Sequence, residues 1–156
     1  PAGEWRLQQE TYIGEAKAGW QCASLDVKSR NVEIQATVRL VEGAAAGLAW
    51  GPLLANGRGK DLILMLDAEA QCLRAATTPN FAETCARSFP VERGKDYRVR
   101  IFIRPPRFEM YIEDTLVLQS AIPVSSSMAE QAGVGVFVDR GKAEIKDVIL
   151  HEIDVR

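Results

Sequence analysis

The stretch NVEIQATVRL, at residues 31–40, alternates apolar and polar side chains without a break. Successive side chains of a β-strand point to opposite faces, so a period of two predicts a strand with one buried side and one solvent-facing side. The side chains predicted to be buried are Val32, Ile34, Ala36, Val38 and Leu40.

The same alternation occurs in two stretches further along the chain, YRVRIFIR at residues 97–104 and RFEMYIE at residues 107–113. Only Pro105 and Pro106 separate them, and consecutive prolines mark a turn. Two alternating strands joined by so short a loop predict an antiparallel hairpin.

The two-residue loop also predicts the register of this hairpin. Arg100 then faces Tyr111, and Phe102 faces Glu109, across the two strands. The predicted hairpin has one apolar face and one face that mixes charged and aromatic side chains. The members of this mixed face are Arg98, Arg100, Phe102, Glu109, Tyr111 and Glu113.

Other segments are continuous apolar runs, two of them bounded by charged residues, and are predicted to be more fully buried strands, at residues 47–50, 61–67 and 133–139. A final strand is expected over residues 143–153. Polar and glycine-containing turns separate these runs at short, regular spacing, which is typical of an all-β sandwich or barrel.

The bulk properties limit the classes of partner. The net charge is −2 and the pI is near 5.5, whereas nucleic acids and anionic membranes attract basic surfaces. The apolar stretches are strand-sized and too short to span a bilayer as a helix. We therefore expect no nucleic acid and no membrane among the partners.

The length suits a single domain, which we expect over residues 1–156 as a monomer. The chain opens at Pro1 without Met, and we expect it to be cut from a longer protein.

The chain has three cysteines, Cys22, Cys72 and Cys85, so they cannot all pair. Cys72 and Cys85 could form a disulfide if their strands are neighbours, but three small buried thiols are the favoured interpretation. The cysteines and the one histidine form no zinc-ligand motif in the sequence.

The sequence offers little for catalysis. His151 is the only histidine, and no Gly-x-Ser-x-Gly elbow accompanies it. Glu109 and Glu113 share the predicted mixed face, but the neighbouring arginines would keep both carboxylates ionised, which does not suit a general acid. We expect no catalytic residues.

The order of six segments resembles the concanavalin A-like (laminin-G-like) jelly roll found at the C-terminus of glycoside hydrolase family 32 enzymes. It also resembles the family 66 carbohydrate-binding modules, which recognise terminal fructose of levan and similar fructans. The segments are residues 31–40, 45–50, 64–69, 97–103, 108–113 and 133–139.

This resemblance implies a jelly-roll β-sandwich of two antiparallel sheets without catalytic residues of its own. In the hydrolases the catalytic carboxylates lie in a separate propeller. The implied function is a non-catalytic carbohydrate-binding module that recognises a plant or microbial polysaccharide, with a fructan such as levan or inulin favoured, and that targets an attached glycoside hydrolase. An extracellular location follows if that parent enzyme is secreted.

Aromatic rings stack on sugar faces, while arginines and carboxylates hydrogen-bond to pairs of hydroxyl groups. On that basis we expect sugar contacts from six residues, with the tryptophan as a platform at the rim of the sandwich, although it could instead fill the core as most tryptophans do. They are Trp50, Asp67, Arg100, Tyr111, Glu113 and Asp139. No cofactor is expected; such jelly rolls sometimes hold calcium, but the sequence has no dedicated calcium loop.

Two alternatives stay open. The domain could be a structural accessory that packs on a catalytic propeller, with an exposed apolar patch that includes Trp5, Phe102 and Tyr111. It could also be a jelly-roll glucanase, but these enzymes need a Glu-x-Asp-x-x-Glu strand, and the nearest run here is Glu109-x-x-x-Glu113.

Overall fold

The structure is a computed structural model that describes residues 3–8, 10–53, 60–122 and 132–153, with only the backbone described for residues 3–8. Within these ranges no helix has the length and apolar character needed to span a membrane. The described residues form eleven strands: β1 (Gly3–Gln8), β2 (Thr11–Lys28), β3 (Val32–Glu42), β4 (Ala45–Gly51), β5 (Leu62–Asp67), β6 (Cys72–Thr77), β7 (Ala82–Ser88), β8 (Asp96–Arg104), β9 (Arg107–Ile112), β10 (Thr115–Ala121) and β11 (Gly133–Glu152).

The strands form two layers, and every pairing between them is antiparallel. Layer A has the order β10-β9-β8-β3 followed by the second half of β11. Layer B has the first half of β11 followed by β4-β5-β6-β7. The prediction of an all-β sandwich of two antiparallel sheets is confirmed.

The long strand β11 links the layers because it bends where its register shifts, between Asp139 and Gly141. Arg140 lies at this bend with a φ of 45°. Gly43 packs against it with a φ of 101°, and a Cβ at Gly43 would overlap the backbone of Arg140 and Gly141. The bend therefore depends on the absence of a side chain at Gly43.

The main core fills the space between the layers. Strand β3 alternates between buried and half-buried positions along its length, so its predicted period of two is confirmed. The apolar positions of residues 31–40 are all at most 4% exposed. Burial of this apolar surface is the main stabilising contribution to the fold.

Strands β4 and β5 are buried on both faces, and this explains why their sequences do not alternate. Their inward side chains join the main core, while their outward side chains form a second cluster. This outer cluster comprises Ala45, Ala49, Ile63, Met65, Ala76 and Phe137, and it is packed by Trp20, Cys22, Leu53 and Phe81.

The three cysteines are free. Strands β6 and β7 are neighbours, but their register pairs Cys72 with Ser88 and Cys85 with Ala75. The alternative of a disulfide between Cys72 and Cys85 is therefore wrong. Burial raises the pKa of all three thiols, which keeps them protonated.

Candidate functional site

The most elaborate polar surface covers the outer face of layer A, and we call it the polar face. Its side chains come from β3, β8, β9 and the end of β11, which are adjacent strands in the sheet. Because these strands alternate, their inward residues build the core and their outward residues meet side by side. The polar face consists of Glu33, Gln35, Arg98, Arg100, Phe102, Glu109, Tyr111 and His151.

Arg100 lies at the centre of the polar face and contacts two aromatic rings. Its guanidinium carbon is 5.1 Å from the centroid of the Phe102 ring and 5.3 Å from the centroid of the Tyr111 ring. The two rings meet edge to face, with centroids 5.8 Å apart. The register that pairs Arg100 with Tyr111 produces this arrangement, and cation–π attraction stabilises it.

Glu33 lies beside this cluster with 14% of its side chain exposed. Its carboxylate is 3.2 Å from Nδ1 of His151, accepts a hydrogen bond of 3.4 Å from Nε2 of Gln35, and is 3.9 Å from Nε of Arg100. Nε of Arg100 is buried and has no hydrogen-bond partner. Arg100 is thus positioned by charge and by rings rather than by short hydrogen bonds.

Tyr111 is oriented by a second carboxylate. Its hydroxyl donates a hydrogen bond of 3.0 Å to Glu109, and this bond raises the pKa of the Tyr111 phenol. The phenol therefore stays protonated, with its ring beside Arg100.

Glu113 lies at the end of the polar face in the turn between β9 and β10, where its φ is 48°. Its carboxylate accepts hydrogen bonds of 2.8 Å from both the backbone N–H and Nε of Arg98. These two bonds lower the pKa of Glu113, so it stays ionised. An ionised, paired carboxylate cannot donate a proton to a leaving group.

Two shallow grooves flank the Arg100 cluster. One has a volume of about 210 Å³ and the other a volume of about 320 Å³. The smaller groove is lined in part by Gln35, Thr37, Arg98, Arg100 and Asp147. The larger is lined in part by Phe102, Arg104, Arg107, Glu109 and Gln119.

Of the six predicted contact residues, the structure places Arg100 and Tyr111 on the polar face, and it places Glu113 in the turn at the end of this face, where it is bonded to Arg98. Asp67 and Asp139 lie elsewhere, since both pair across Ala45 on the outer face of layer B. These two aspartates therefore lie on a different surface from Arg100 and Tyr111, and their predicted sugar contacts stay predictions.

Both aspartates have local partners. Asp67 is 3.1 Å from Arg74 and accepts a hydrogen bond of 2.8 Å from the backbone N–H of Ala70. Asp139 is 3.2 Å from Arg140 at the bend of β11. The contacts of Asp67 stabilise the turn after β5, and those of Asp139 stabilise the bend of β11.

Trp50 is also placed differently from the prediction of a rim platform. Its side chain is 0% exposed, and its Nε1 donates a hydrogen bond of 3.0 Å to the backbone carbonyl of Ser29. The prediction is wrong because β4 is buried on both faces, so its last residues do not form a rim. Trp50 is a core residue that joins two parts of the chain.

Six residues of the polar face are absent from the predicted contact set: Glu33, Gln35, Arg98, Phe102, Glu109 and His151. Phe102 was visible in the sequence as a member of the mixed hairpin face. Glu33 and His151 meet only because β3 pairs with β11, which follows it by about a hundred residues. Alternation placed Glu33 on an outward face, but it could not show which strand lies beside it.

Among the described residues, no group of three or more histidine, cysteine, aspartate or glutamate side chains is placed to hold a metal ion. Phe102 and Tyr111, which are expected in the apolar patch of an accessory domain, are both half-buried and both contact Arg100. The side chain of Trp5 lies outside the described residues.

Several solved structures share this fold. The chain is similar to the carbohydrate-binding module CBM66 from Bacillus subtilis, with 18% sequence identity and a TM-score of 0.81 over 96% of this chain and 92% of that one. It is also similar to a protein of unknown function with a galectin-like fold from Bacillus subtilis, with 12% identity and a TM-score of 0.62 over 99% and 83% of the two chains. A third similar structure is the galectin LEC-6 of Caenorhabditis elegans, with 7% identity and a TM-score of 0.58 over 92% and 97%.

No protein-family description matches the sequence, and no curated protein matches it. At these identities the structural likeness shows the fold alone. The chain has the concanavalin A-like jelly-roll β-sandwich fold shared by carbohydrate-binding modules and galectins, as the resemblance implied.

Proposed function

We propose that the domain is a non-catalytic carbohydrate-binding module and that its ligand lies on the polar face of layer A. The observation that supports this most strongly is the position of Arg100, which contacts the rings of Phe102 and Tyr111 and lies beside the carboxylate of Glu33. A sugar ring has an apolar face and a set of hydroxyl groups, and this cluster offers a complement to both.

Binding by this cluster would require little reorganisation. The Tyr111 hydroxyl is already bonded to Glu109, and the Glu33 carboxylate already contacts Gln35 and His151. Ordering side chains on binding costs about 0.5–1.5 kcal/mol for each flexible side chain, and prior contacts reduce that cost. The open grooves on both sides leave room for a ligand that extends across the strands.

The carboxylates of the polar face favour binding over cleavage. Hydrolysis of a glycosidic bond uses a general acid whose pKa is raised, paired with a second carboxylate. Glu113 has its pKa lowered by Arg98, and Glu109 accepts the hydrogen bond of Tyr111. The carboxylate of Glu33 lies close to Arg100 and His151.

The sugar class, the attached enzyme and the location that we propose are those that the resemblance implies. A fructan such as levan or inulin is the favoured ligand. The domain would hold an attached glycoside hydrolase close to that polysaccharide. An extracellular location would follow from secretion of the parent enzyme.

A second candidate is a structural accessory domain that packs against a catalytic domain without binding sugar. A different surface favours it, a groove of about 450 Å³ at the edge of the sandwich whose lining combines apolar side chains with Glu10 and Asp147. Its apolar lining residues are Tyr12, Leu25, Val27, Val148 and Leu150.

Affinity electrophoresis through gels that contain a fructan, glucan, xylan or mannan separates the two candidates. The binding module is retarded by at least one polymer, and Tyr111→Ala weakens that binding by about tenfold because ring contact and the position of Arg100 are both lost. Tyr12→Ala is the matched control, since it removes the same side chain from the edge groove. Equal losses in both variants, or no retardation on any polymer, would reject the binding module.

A further inference from the structure

Two arginines stand directly opposite each other at the loop end of the β8–β9 hairpin. Arg104 pairs with Arg107 in the register, and both side chains are exposed. Within the described part of the chain, neither forms a hydrogen bond or an ion pair with another residue. Like charges directly opposite on neighbouring strands repel each other, so this pair destabilises the free protein.

The other arginines of the polar face differ in this respect. Arg98 is 2.8 Å from Glu113, and Arg100 lies beside Glu33. The acidic residue nearest to the opposed pair along β9 is Glu109, and its carboxylate is hydrogen-bonded to Tyr111. Positive charge without a described counter-charge is therefore concentrated at one end of the polar face.

The opposed arginines line the groove of about 320 Å³ together with Phe102, Glu109 and Gln119. Guanidinium groups bind carboxylate and sulfate oxygens through paired, charge-assisted hydrogen bonds. An oxyanion between Arg104 and Arg107 would also relieve their mutual repulsion. Phe102 offers a ring surface to the sugar that holds the oxyanion.

The groove is formed on an ordered part of the fold. The hairpin loop has only two residues, and the backbone carbonyl of Pro106 accepts a hydrogen bond of 2.6 Å from the N–H of Ile122. This contact ties the loop to the residue that follows β10. The two guanidinium groups therefore extend from a fixed backbone.

We propose that the Arg104–Arg107 end of the polar face binds an anionic group of the glycan, so that the preferred ligand is an acidic polysaccharide with carboxylate or sulfate groups. The inference rests on the proposed carbohydrate-binding function, and it replaces the neutral fructan that the resemblance favours with an acidic ligand. From Arg98 to Arg104 the strand spans about 20 Å at the usual rise per residue, which allows one chain to reach from the Arg100 cluster to the arginine pair. A neutral fructan would use only the Arg100 cluster and would bind less tightly.

The test compares three polymers by calorimetric titration: levan, which is neutral, polygalacturonate, which has carboxylates, and dextran sulfate, which has sulfate esters. We expect at least one acidic polymer to bind more tightly than levan. The double variant R104Q/R107Q should reduce that affinity by about tenfold, because a hydrogen bond to a charged group contributes about that factor. The affinity of the double variant for levan should differ from that of the wild type by less than about twofold.

The matched control is R87Q/R93Q, which removes the same charge from exposed positions outside the polar face. Thermal unfolding confirms that both variants are folded. If R104Q/R107Q weakens binding of polygalacturonate more, the bound group is a carboxylate. If it weakens binding of dextran sulfate more, the bound group is a sulfate.

The inference is overturned, while carbohydrate binding stands, if levan binds as tightly as the acidic polymers. It is also overturned if both double variants weaken acidic binding equally, since general charge attraction would then explain it. Failure of all three polymers to bind the wild-type protein also overturns the inference, whereas the proposed function is rejected only if the electrophoresis on fructan, glucan, xylan and mannan shows no retardation either.

Discussion

At the scale of single residues, the properties of the polar face come from side chains that hold one another in place. Arg100 lacks a short hydrogen bond at its buried Nε, yet two rings and one carboxylate surround it. Such a guanidinium is oriented in advance and retains donors for a ligand. The shape of the guanidinium should therefore contribute as much to glycan affinity as its charge does.

Replacing Arg100 with Lys tests this point. Lysine keeps the positive charge but loses the flat guanidinium that lies against both rings, so we expect affinity for the bound glycan to fall by about tenfold. Calorimetric titration measures the change, with Arg87→Lys as the control on layer B. Unchanged affinity in Arg100→Lys would show that charge alone is sufficient.

Trp50 provides a test of the core at the same scale. Trp50→Phe removes the donor to the Ser29 carbonyl and leaves a cavity, so the free energy of unfolding should fall by about 2 to 4 kcal/mol. Urea unfolding followed by circular dichroism measures it. Glycan affinity below the unfolding transition should not change, and a selective loss of affinity with normal stability would return Trp50 to the binding site.

The ion pair of Glu113 and Arg98 predicts a pH dependence of stability. The pKa of Glu113 is lowered in the folded protein, first by the backbone N–H of Arg98 and then by its guanidinium. A carboxyl with a lowered folded pKa stabilises the protein above its unfolded pKa, and that contribution is lost as the pH falls through the folded pKa. Wild type should therefore resist urea better than Glu113→Gln at pH 7.

The difference should disappear when the pH falls below the lowered pKa of Glu113. Urea midpoints of both proteins, measured from neutral to acidic pH, provide the comparison. A difference that persists unchanged in strong acid would contradict the assignment.

At the scale of strands and hairpins, local pattern predicted those elements whose two faces differ. The β8–β9 register was predictable because two prolines leave no room for another pairing, and the structure confirms Arg100 opposite Tyr111. Pattern could not place Trp50, since a strand that is apolar throughout does not indicate which side chains reach the surface. It also could not show that residues 133–152 form one strand that crosses both layers.

The bend of β11 predicts that replacing two glycines, which both have a positive φ, lowers the free energy of unfolding by different amounts. Gly43 contacts the backbone of Arg140 and Gly141, whereas a Cβ at Gly94 would meet nothing within 4 Å. Gly94→Ala should cost about 1 kcal/mol for its left-handed backbone, and Gly43→Ala should cost at least about 2 kcal/mol because overlap is added. Equal unfolding free energies for the two variants would show that the bend tolerates a side chain.

At the scale of the whole molecule, the two outer faces of the sandwich have different chemistry. The outer face of layer B is closed by the apolar cluster around Phe137, with Trp20 and Phe81 packed on it. The outer face of layer A presents charged and aromatic side chains beside two open grooves. The outer face of layer B is thus closed by apolar packing, whereas the outer face of layer A presents polar side chains to a ligand.

NMR tests most directly whether the ligand binds on the outer face of layer A. The backbone amide shifts are mapped during titration with short oligosaccharides of the polysaccharide that binds most tightly. A chain of 17.2 kDa is small enough for this measurement. We predict that the largest shifts fall on β3, β8 and β9, around Glu33, Arg100, Phe102 and Tyr111, with little change in layer B. Shifts centred on Asp67 and Asp139, or on the edge groove around Tyr12, would contradict the assignment of the binding face.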